Sequence, residues 1–168
     1  MSEVEIIDNV LPEDDYNKIA KMVNSDQFPW KFCPTTTGDE IGRDFDFQFV
    51  HLLFAHCKVV SPYWDEFDPV IEHLKIGGII RAKLNLQTQT HVHMEGGYHT
   101  DTRMEHLTSV MYFDDSNGYT KFKDTGQEVQ SKANRLLTFP SHMQHTGVSQ
   151  TDQQKRVVLN LNWIKWID

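Results

Sequence analysis

Residues 79–89 read IIRAKLNLQTQ, and apolar and polar side chains alternate along this stretch. Extended backbone turns successive side chains to opposite faces. One face therefore carries Ile80, Ala82, Leu84 and Leu86, and the other carries Arg81, Lys83, Asn85 and Gln87. A period of two predicts a β-strand with one face against a hydrophobic core.

The chain downstream of this strand continues in short strands. The predicted ones include HLTSVMYFDD (106–115), GQEVQS (126–131), RLLTFP (135–140) and KRVVLNLNWIKW (155–166). Turn residues separate them, and no helical period intervenes. We expect an antiparallel, eight-stranded jelly roll, or double-stranded β-helix, over about residues 79–167.

The chain upstream of residue 79 has a different pattern. Apolar residues at helical spacing predict one helix over about 12–24, and Asp68, Pro69 and Gly77 predict the cap, first turn and stop of a second. FDFQFVHLLF (45–54) predicts a strand, whereas WKFCPTTTGDEIGRD (30–44) predicts a loop or a short edge strand. The whole chain, 1–168, is therefore expected to be a single mainly β domain, with helical support over about 10–77.

Composition limits the function. The chain has 16 basic and 24 acidic residues among 168, a formal charge of −8, which gives no general attraction to nucleic acids or anionic membranes. We find no signal peptide, no membrane span and only two cysteines, as expected of a soluble cytoplasmic protein. A small molecule or a peptide is the expected partner, and the oligomeric state stays open.

Candidate metal ligands follow the strand predicted over 79–89. His99 and Asp101 are two residues apart, so they point the same way from a strand end. Such a pair is common by chance and indicates a metal only together with a third ligand. FPSHMQHTG (139–147) supplies His145, with His142 as the alternative. Two histidines and one carboxylate leave three positions on an iron ion open.

The last predicted strand has one polar face. Arg156, Val158, Asn160 and Asn162 share that face, and Val157, Leu159, Leu161 and Trp163 share the other. Polar groups inside a barrel are costly unless they are paired, so this face predicts a polar pocket. An arginine there can hold a carboxylate through two charge-assisted hydrogen bonds.

Other histidines fit a metal site less well. His91 and His93 resemble the start of a cupin site, but the Glu that such a site needs is missing where Gly97 and Tyr98 stand. His93 and Glu95 are followed by two glycines, which indicates a loop that cannot fix two ligands. His106 would face away from Asp101, so we expect it to support the site from behind or to lie at the surface.

These residues together resemble the non-haem iron and 2-oxoglutarate dependent dioxygenases, specifically the small prolyl 4-hydroxylase-like branch. The resemblance is clearest in RAKLNLQTQ (81–89), GGYHTD (96–101), LTSVMYFDDSNGYTKF (107–122), NRLLTFPSHMQHTG (134–147) and RVVLNLNW (156–163). It favours His145 over His142, because a Thr-Gly pair follows His145 and Arg156 then falls at the family's spacing.

The resemblance implies a hydroxylase with Fe(II) held by His99, Asp101 and His145. It further implies that 2-oxoglutarate and O2 are co-substrates, with ascorbate as a supporting reductant. Arg156 and Tyr112 would bind the distal carboxylate of 2-oxoglutarate, with further contacts from Asn85, or Gln87 in its place, and from Asn160. A halogenase would lack the Asp101 carboxylate, so hydroxylation of a C–H bond, for example of peptidyl proline, is the expected reaction.

The substrate side is less defined. We expect a lid from the loop around THVHMEGGY (90–98) and from residues 30–44, because both carry polar, flexible segments. Substrate or lid contacts are expected from His91, His93, Tyr98, Arg103 and Asn162. The rival interpretation is a non-catalytic jelly-roll module that binds a ligand or has a structural role.

Overall fold

A computed structural model describes residues 4–36, 47–101 and 104–166, which form eleven strands, two helices and one 3-10 turn. In chain order these are β1 (Glu5–Asp8), α1 (Glu13–Val23), β2 (Lys31–Cys33), β3 (Gln48–Ala55), β4 (Lys58–Val59), the 3-10 turn (Trp64–Phe67), α2 (Asp68–Leu74), β5 (Ile76–Thr88), β6 (Leu107–Tyr112), β7 (Tyr119–Phe122), β8 (Glu128–Gln130), β9 (Arg135–Pro140), β10 (His145–Val148) and β11 (Lys155–Lys165). The mainly β class with N-terminal helices is confirmed.

The strands form two antiparallel sheets. The larger sheet has eight strands in the order β1-β9-β6-β11-β5-β3-β2, with β4 paired to β3, and the smaller has the order β10-β7-β8. The long strands β5 and β11 lie side by side at the centre of the larger sheet, with Arg156 opposite Gln87 and Asn160 opposite Lys83. This architecture is consistent with the predicted jelly-roll core.

The two faces of the larger sheet bury different clusters. One face packs against the helices, in a cluster that joins Ile19 of α1 and Val70 of α2 to five sheet residues, Ala82, Leu84, Val157, Leu159 and Leu161. The other face packs against the smaller sheet through Val110, Tyr112, Leu137, Phe139, Phe122 and Val129. The alternation predicted for β11 and for Ala82, Leu84 and Leu86 of β5 is therefore confirmed, because these apolar residues face the helical side. At the start of β5 it is wrong, since a register shift places Ile79, rather than Ile80, against this cluster.

The first helix begins one residue later than predicted, after Pro12, and its first turn holds Glu13, Asp14 and Asp15. Acidic side chains there stabilise the positive end of the helix dipole. The second helix begins at Asp68, so Phe67 stands at the cap position predicted for Asp68, and the helix also differs at its end. Lys75, in the left-handed conformation, terminates α2, and β5 begins at Ile76, so the prediction that Gly77 stops the helix is wrong.

Gly77 has another role, since a Cβ there would lie 2.9 Å from the Cα of Trp166, the residue that follows β11.

The region upstream of β5 is also less helical than predicted. It contains β1, β2, β3 and β4 as well as the helices, and β1 pairs with β9. No helix within the described ranges is long and apolar enough to cross a membrane.

Candidate metal and co-substrate site

His99 and His145 are brought together by their backbones. Each donates its N–H to the carbonyl oxygen of the other, at 3.0 Å, and the two imidazole rings lie 4.7 Å apart. His145 begins β10, but His99 lies in the connection between β5 and β6 and forms only this isolated bridge. His99 was predicted to lie at the end of a strand, but the structure has only this single bridge there. The His99 side chain nevertheless converges with that of His145.

Asp101 completes the cluster. Each of the three side chains, those of His99, Asp101 and His145, offers a metal-ligating atom, and these three atoms lie within 4.8 Å of one another. Nε2 of His99 is 3.8 Å from Oδ1 of Asp101. These three side chains can converge on one ion. Two imidazoles and one carboxylate suit Fe(II) and leave open positions for further ligands.

The imidazole tautomers also fit a metal site. Nδ1 of His99 donates to the carbonyl oxygen of Gly97 at 3.0 Å, and Nδ1 of His145 donates to that of Met143 at 3.2 Å. Because a carbonyl can only accept, Nδ1 carries a proton in each ring, and in the neutral imidazole Nε2 then keeps its lone pair for a metal. Burial lowers the pKa of His145, which favours this neutral form.

The Asp101 carboxylate is oriented by side chains from β5 and β11. Asn162 and Asn160 donate amide N–H groups to its Oδ2 at 2.9 and 3.2 Å, and Arg81 donates to its Oδ1 at 3.1 Å. Burial alone would raise the pKa of Asp101, but Arg81, the two amides and His145 in its protonated form lower it to about 2. The carboxylate is therefore ionised at neutral pH.

Asn162 does not face the cavity. It is fully buried, and it accepts a hydrogen bond from Nε of Arg81 at 3.1 Å while it donates to Asp101. The predicted contact of Asn162 with substrate is therefore corrected, because this strand end faces the metal ligand.

His106 is also buried, with Nε2 3.5 Å from the Thr108 hydroxyl, so the surface alternative for His106 is wrong.

A buried arginine lies at the other end of the same cavity. Nη1 of Arg156 donates to the carbonyl oxygen of Val148 at 3.0 Å, and Nη2 donates to Oε1 of Gln87. Its Nε has no hydrogen-bond partner among the described residues. Burying such a donor is costly, so this atom fits an anionic ligand such as a carboxylate.

Tyr112 lies beside this guanidinium. Its hydroxyl is 2.7 Å from that of Thr120, and both residues line the cavity with Arg156. Burial raises the pKa of Tyr112 and outweighs the opposing effects of Thr120 and Arg156. The phenol therefore stays protonated and can donate a hydrogen bond to a carboxylate.

One cavity of about 140 Å³ connects the two ends. This is below the roughly 300 Å³ of pockets for drug-sized ligands, so it suits a ligand of a few carbon atoms. Its lining includes His99, Asp101, His145, Asn85, Asn160, Tyr112 and Arg156. Asn85 and Asn160 each have one buried amide oxygen without a partner among the described residues.

The predicted lid residues lie around the cavity rim or outside it. His91 is exposed, and His93 is exposed with its Nδ1 2.7 Å from the carbonyl oxygen of Ser149. Tyr98 is half-buried, with the Nζ of Lys123 6.0 Å from its ring. None of these three lines the cavity, whereas Glu95 and Gly96 of the same loop do. Arg103 and residues 37–44 of the second lid segment lie outside the described residues.

Three contributors were not predicted from the sequence. Arg81 pairs with Asp101, Lys83 lines the cavity, and Gly118 makes room for Arg156. A Cβ on Gly118 would collide with the Arg156 guanidinium. The polar face of β5 was a signal for Arg81 and Lys83, but nothing local in the sequence relates Gly118 to Arg156.

Comparison with known proteins establishes the fold. No family model matches the sequence, and no curated protein matches it. A 2OG-Fe(II) oxygenase family oxidoreductase from Burkholderia pseudomallei is similar in structure, with a TM-score of 0.70 and 9% identity, over 96% of this chain and 85% of that one.

Two other solved structures extend this likeness. A prolyl hydroxylase from Trichoplax adhaerens, in complex with a hypoxia inducible factor peptide fragment, has a TM-score of 0.68 and 13% identity, over 98% of this chain and 84% of that one. The non-heme alpha ketoglutarate dependent epimerase SnoN from nogalamycin biosynthesis has a TM-score of 0.67 and 9% identity, over 97% of this chain and 78% of that one. The chain therefore has the fold of the 2OG-Fe(II) oxygenases, prolyl hydroxylases included.

Proposed function

We propose that this chain, which has the fold of the 2OG-Fe(II) oxygenases, is a 2-oxoglutarate dependent non-haem iron dioxygenase that hydroxylates a C–H bond. One observation carries the proposal: the cluster of His99, Asp101 and His145 and the buried guanidinium of Arg156 line the same cavity. A ligand-binding module without catalysis needs no such combination.

The side chains divide into two groups. His99, Asp101 and His145 hold Fe(II), and Asp101 brings the negative charge that two neutral imidazoles lack. Arg156 and the Tyr112 hydroxyl hold the distal carboxylate of 2-oxoglutarate, which satisfies the unpaired Nε of Arg156. Asn85 and Asn160 lie between the two groups and contact the remainder of the co-substrate.

Bound iron and 2-oxoglutarate supply the oxidising chemistry, in which O2 and 2-oxoglutarate are consumed and succinate and carbon dioxide are released. The protein positions the reactants and keeps the site dry. Phe122 and Phe139 pack around His145, with ring centroids 6.4 and 4.7 Å from the imidazole, and the buried Val110 extends this apolar wall. Ascorbate is expected to keep the iron reduced.

Peptidyl proline is the first candidate substrate, which the prolyl hydroxylase among the similar structures supports. The presence of an epimerase among them means that the fold serves more than one outcome. The intact Asp101 carboxylate favours hydroxylation over halogenation, since a halide needs the coordination position that this carboxylate fills.

The test uses purified protein with Fe(II) and 2-oxoglutarate under nitrogen. We expect a weak visible charge-transfer band that disappears in Asp101→Ala and His145→Ala. His142→Ala is the matched control, because His142 is an exposed histidine three residues from His145. A missing band in the wild type, or a band that survives the first two substitutions, would leave only a binding or structural role.

A second measurement separates the two ends of the cavity. In Arg156→Ala, succinate release should need at least tenfold more 2-oxoglutarate while Fe(II) still binds. Equal loss of iron and co-substrate affinity would mean that Arg156 is not the anchor. The substrate is then sought by following succinate release with panels of prolyl peptides and small molecules.

A further inference from the structure

Lys83 is a cation in the cavity for which the proposed chemistry gives no role. It lies on β5, on the same face as Asn85 and Gln87, and all three line the cavity. Its neighbours on the strand, Ala82 and Leu84, are fully buried on the opposite face. The Lys83 side chain is thus directed between the sheets, where an apolar residue would serve the fold as well.

The Lys83 ammonium has no hydrogen-bond or ion-pair partner among the residues described. Arg81, two residues earlier, pairs with Asp101, and Arg156 donates to Val148 and Gln87. Burial lowers the pKa of Lys83, and the nearby positive charge of Arg81 adds to this effect. Lys83 is half-buried, and the negative charge of Asp101 opposes this lowering, so an anion bound beside the ammonium would stabilise it further.

The position of Lys83 along the sheet places it at the metal end of the cavity. Lys83 is paired with Asn160 on β11, and the Asn160 amide donates to Asp101. Arg156 lies four residues away on β11, a distance of about 13 Å along a strand. Lys83 therefore lies nearer the metal ligands, whereas Arg156, with its unpaired Nε, is the residue placed for the distal carboxylate of 2-oxoglutarate.

Charge balance favours a further anion. Two acidic residues, Asp101 and Glu95, are among the described residues lining the cavity. Asp101 is paired with Arg81, and Glu95 with Lys121 at 2.9 Å. The two negative charges of 2-oxoglutarate balance the two positive charges of Fe(II). With both bound, the cavity therefore has a net positive charge, which comes from Arg156 and Lys83.

We propose that Lys83 binds a carboxylate group of the substrate and so selects acidic substrates. The inference rests on the proposed function and specifies its substrate class. The carboxylate has two possible sources, either the free carboxyl group of a small molecule or an acidic side chain next to the target residue of a peptide.

The first test measures binding directly, without turnover. Lysine amines are methylated with ¹³C, and the Lys83 signal is identified by its absence from Lys83→Arg. The protein is loaded with Zn(II), as an inert substitute for iron, and with 2-oxoglutarate. The titrants are two matched pairs: L-proline with L-prolinamide, and the peptide acetyl-Glu-Pro-Gly-amide with its Gln analogue.

We expect the acid of at least one pair to shift the Lys83 signal and to bind at least tenfold more tightly than its amide, a difference of about 1.4 kcal/mol. A response to L-proline identifies a small acid as the source, and a response to the Glu peptide identifies an acidic peptide. If neither acid shifts the signal, the inference is overturned.

The second test is kinetic. For an acid that stimulates succinate release, Lys83→Met should raise KM at least tenfold and Lys83→Arg less than threefold. The KM for 2-oxoglutarate should change less than threefold in either variant. Lys58→Met, which removes an exposed lysine of β4, is the control. A tenfold rise in the KM for 2-oxoglutarate in Lys83→Met would show that Lys83 holds the co-substrate instead, and would overturn the inference.

The two proposals fail separately. A protein that releases succinate but whose Lys83 signal ignores every acid refutes the role of Lys83 alone. A protein whose Lys83 signal responds to acids but that never consumes 2-oxoglutarate refutes the dioxygenase function alone.

Discussion

Gly118→Ala tests the co-substrate site without removing any group that would touch the ligand. Gly118 precedes β7, and a Cβ on it would collide with Nη1 of Arg156 and lie 3.1 Å from the carbonyl oxygen of Val148. The guanidinium is the part that can yield, because the other contact is with backbone. The substitution should therefore displace Arg156 while its charge is retained.

The size of the effect follows from the hydrogen bonds of Arg156. The present position allows Nη1 to donate to Val148 at 3.0 Å and Nη2 to donate to Gln87. A displaced guanidinium loses one of these bonds or its alignment with the bound carboxylate. Hydrogen bonds to charged groups are worth about 1.5–3 kcal/mol, so the Kd of 2-oxoglutarate should rise roughly 10- to 150-fold.

The assay is anaerobic titration of the Fe(II) protein with 2-oxoglutarate, followed through the charge-transfer band. Gly78→Ala is the matched control, because a Cβ there meets no atom within 4 Å. Iron affinity should be unchanged in both variants. If Gly118→Ala binds 2-oxoglutarate as tightly as Gly78→Ala does, Arg156 is not held where the co-substrate needs it, and the reasoning fails.

Three other predictions concern separate parts of the molecule. Arg81→Met leaves one oxygen of Asp101 without its donor, so Fe(II) affinity should fall about 10- to 100-fold; an iron titration that matches Lys58→Met would contradict this. Tyr112→Phe removes a hydrogen-bond donor to the charged distal carboxylate, so the Kd of 2-oxoglutarate should rise roughly 10- to 150-fold with iron affinity intact, and an unchanged Kd would exclude the contact. The pKa of Asp8 is lowered by hydrogen bonds from Arg135 and Lys132. Asp8→Asn should therefore cost up to about 1 kcal/mol of unfolding free energy at pH 7, because this pair is partly exposed, and the cost should shrink as the pH falls below about 4. Urea unfolding at pH 7 and pH 3 measures it, and a cost that is constant with pH would refute the ionic origin.

The parts of the fold that the sequence predicted are those in which local patterns and tertiary packing agree. The alternation in β5 and β11 is imposed by a sheet that has helices on one face and a second sheet on the other, so the pattern gives both the strand and the orientation of its side chains. Two residues at a spacing of two, His99 and Asp101, converge even though no regular strand holds them, because the backbone bridge to His145 fixes His99.

The features that were missed depend on contacts between distant parts of the chain. Strand β1 has two adjacent apolar residues, Ile6 and Ile7, and its pairing with β9 is not readable from so short a segment. The collision that Gly118 avoids involves Arg156, on a different strand. The end of α2 was misplaced because Lys75 adopts a left-handed conformation, for which glycine is the usual residue.

The unpaired atoms of the interior indicate where ligands bind. Nearly all buried polar groups of folded proteins have hydrogen-bond partners, so exceptions need a cause. Among the described residues four buried side-chain atoms lack a partner, and three of them belong to residues that line the cavity: Asn85, Arg156 and Asn160. Most other polar side chains on this face of β5 and β11 have hydrogen-bond partners within the protein, as Asn162 has in Arg81. A fold that pairs its interior polar groups this consistently, yet leaves Nε of Arg156 and the Lys83 ammonium without an acceptor around one cavity, is completed there by a ligand with negatively charged oxygen atoms. The amide oxygens of Asn85 and Asn160 accept hydrogen bonds, so they are completed by a donor, such as a bound water or a hydroxyl or N–H group of the substrate.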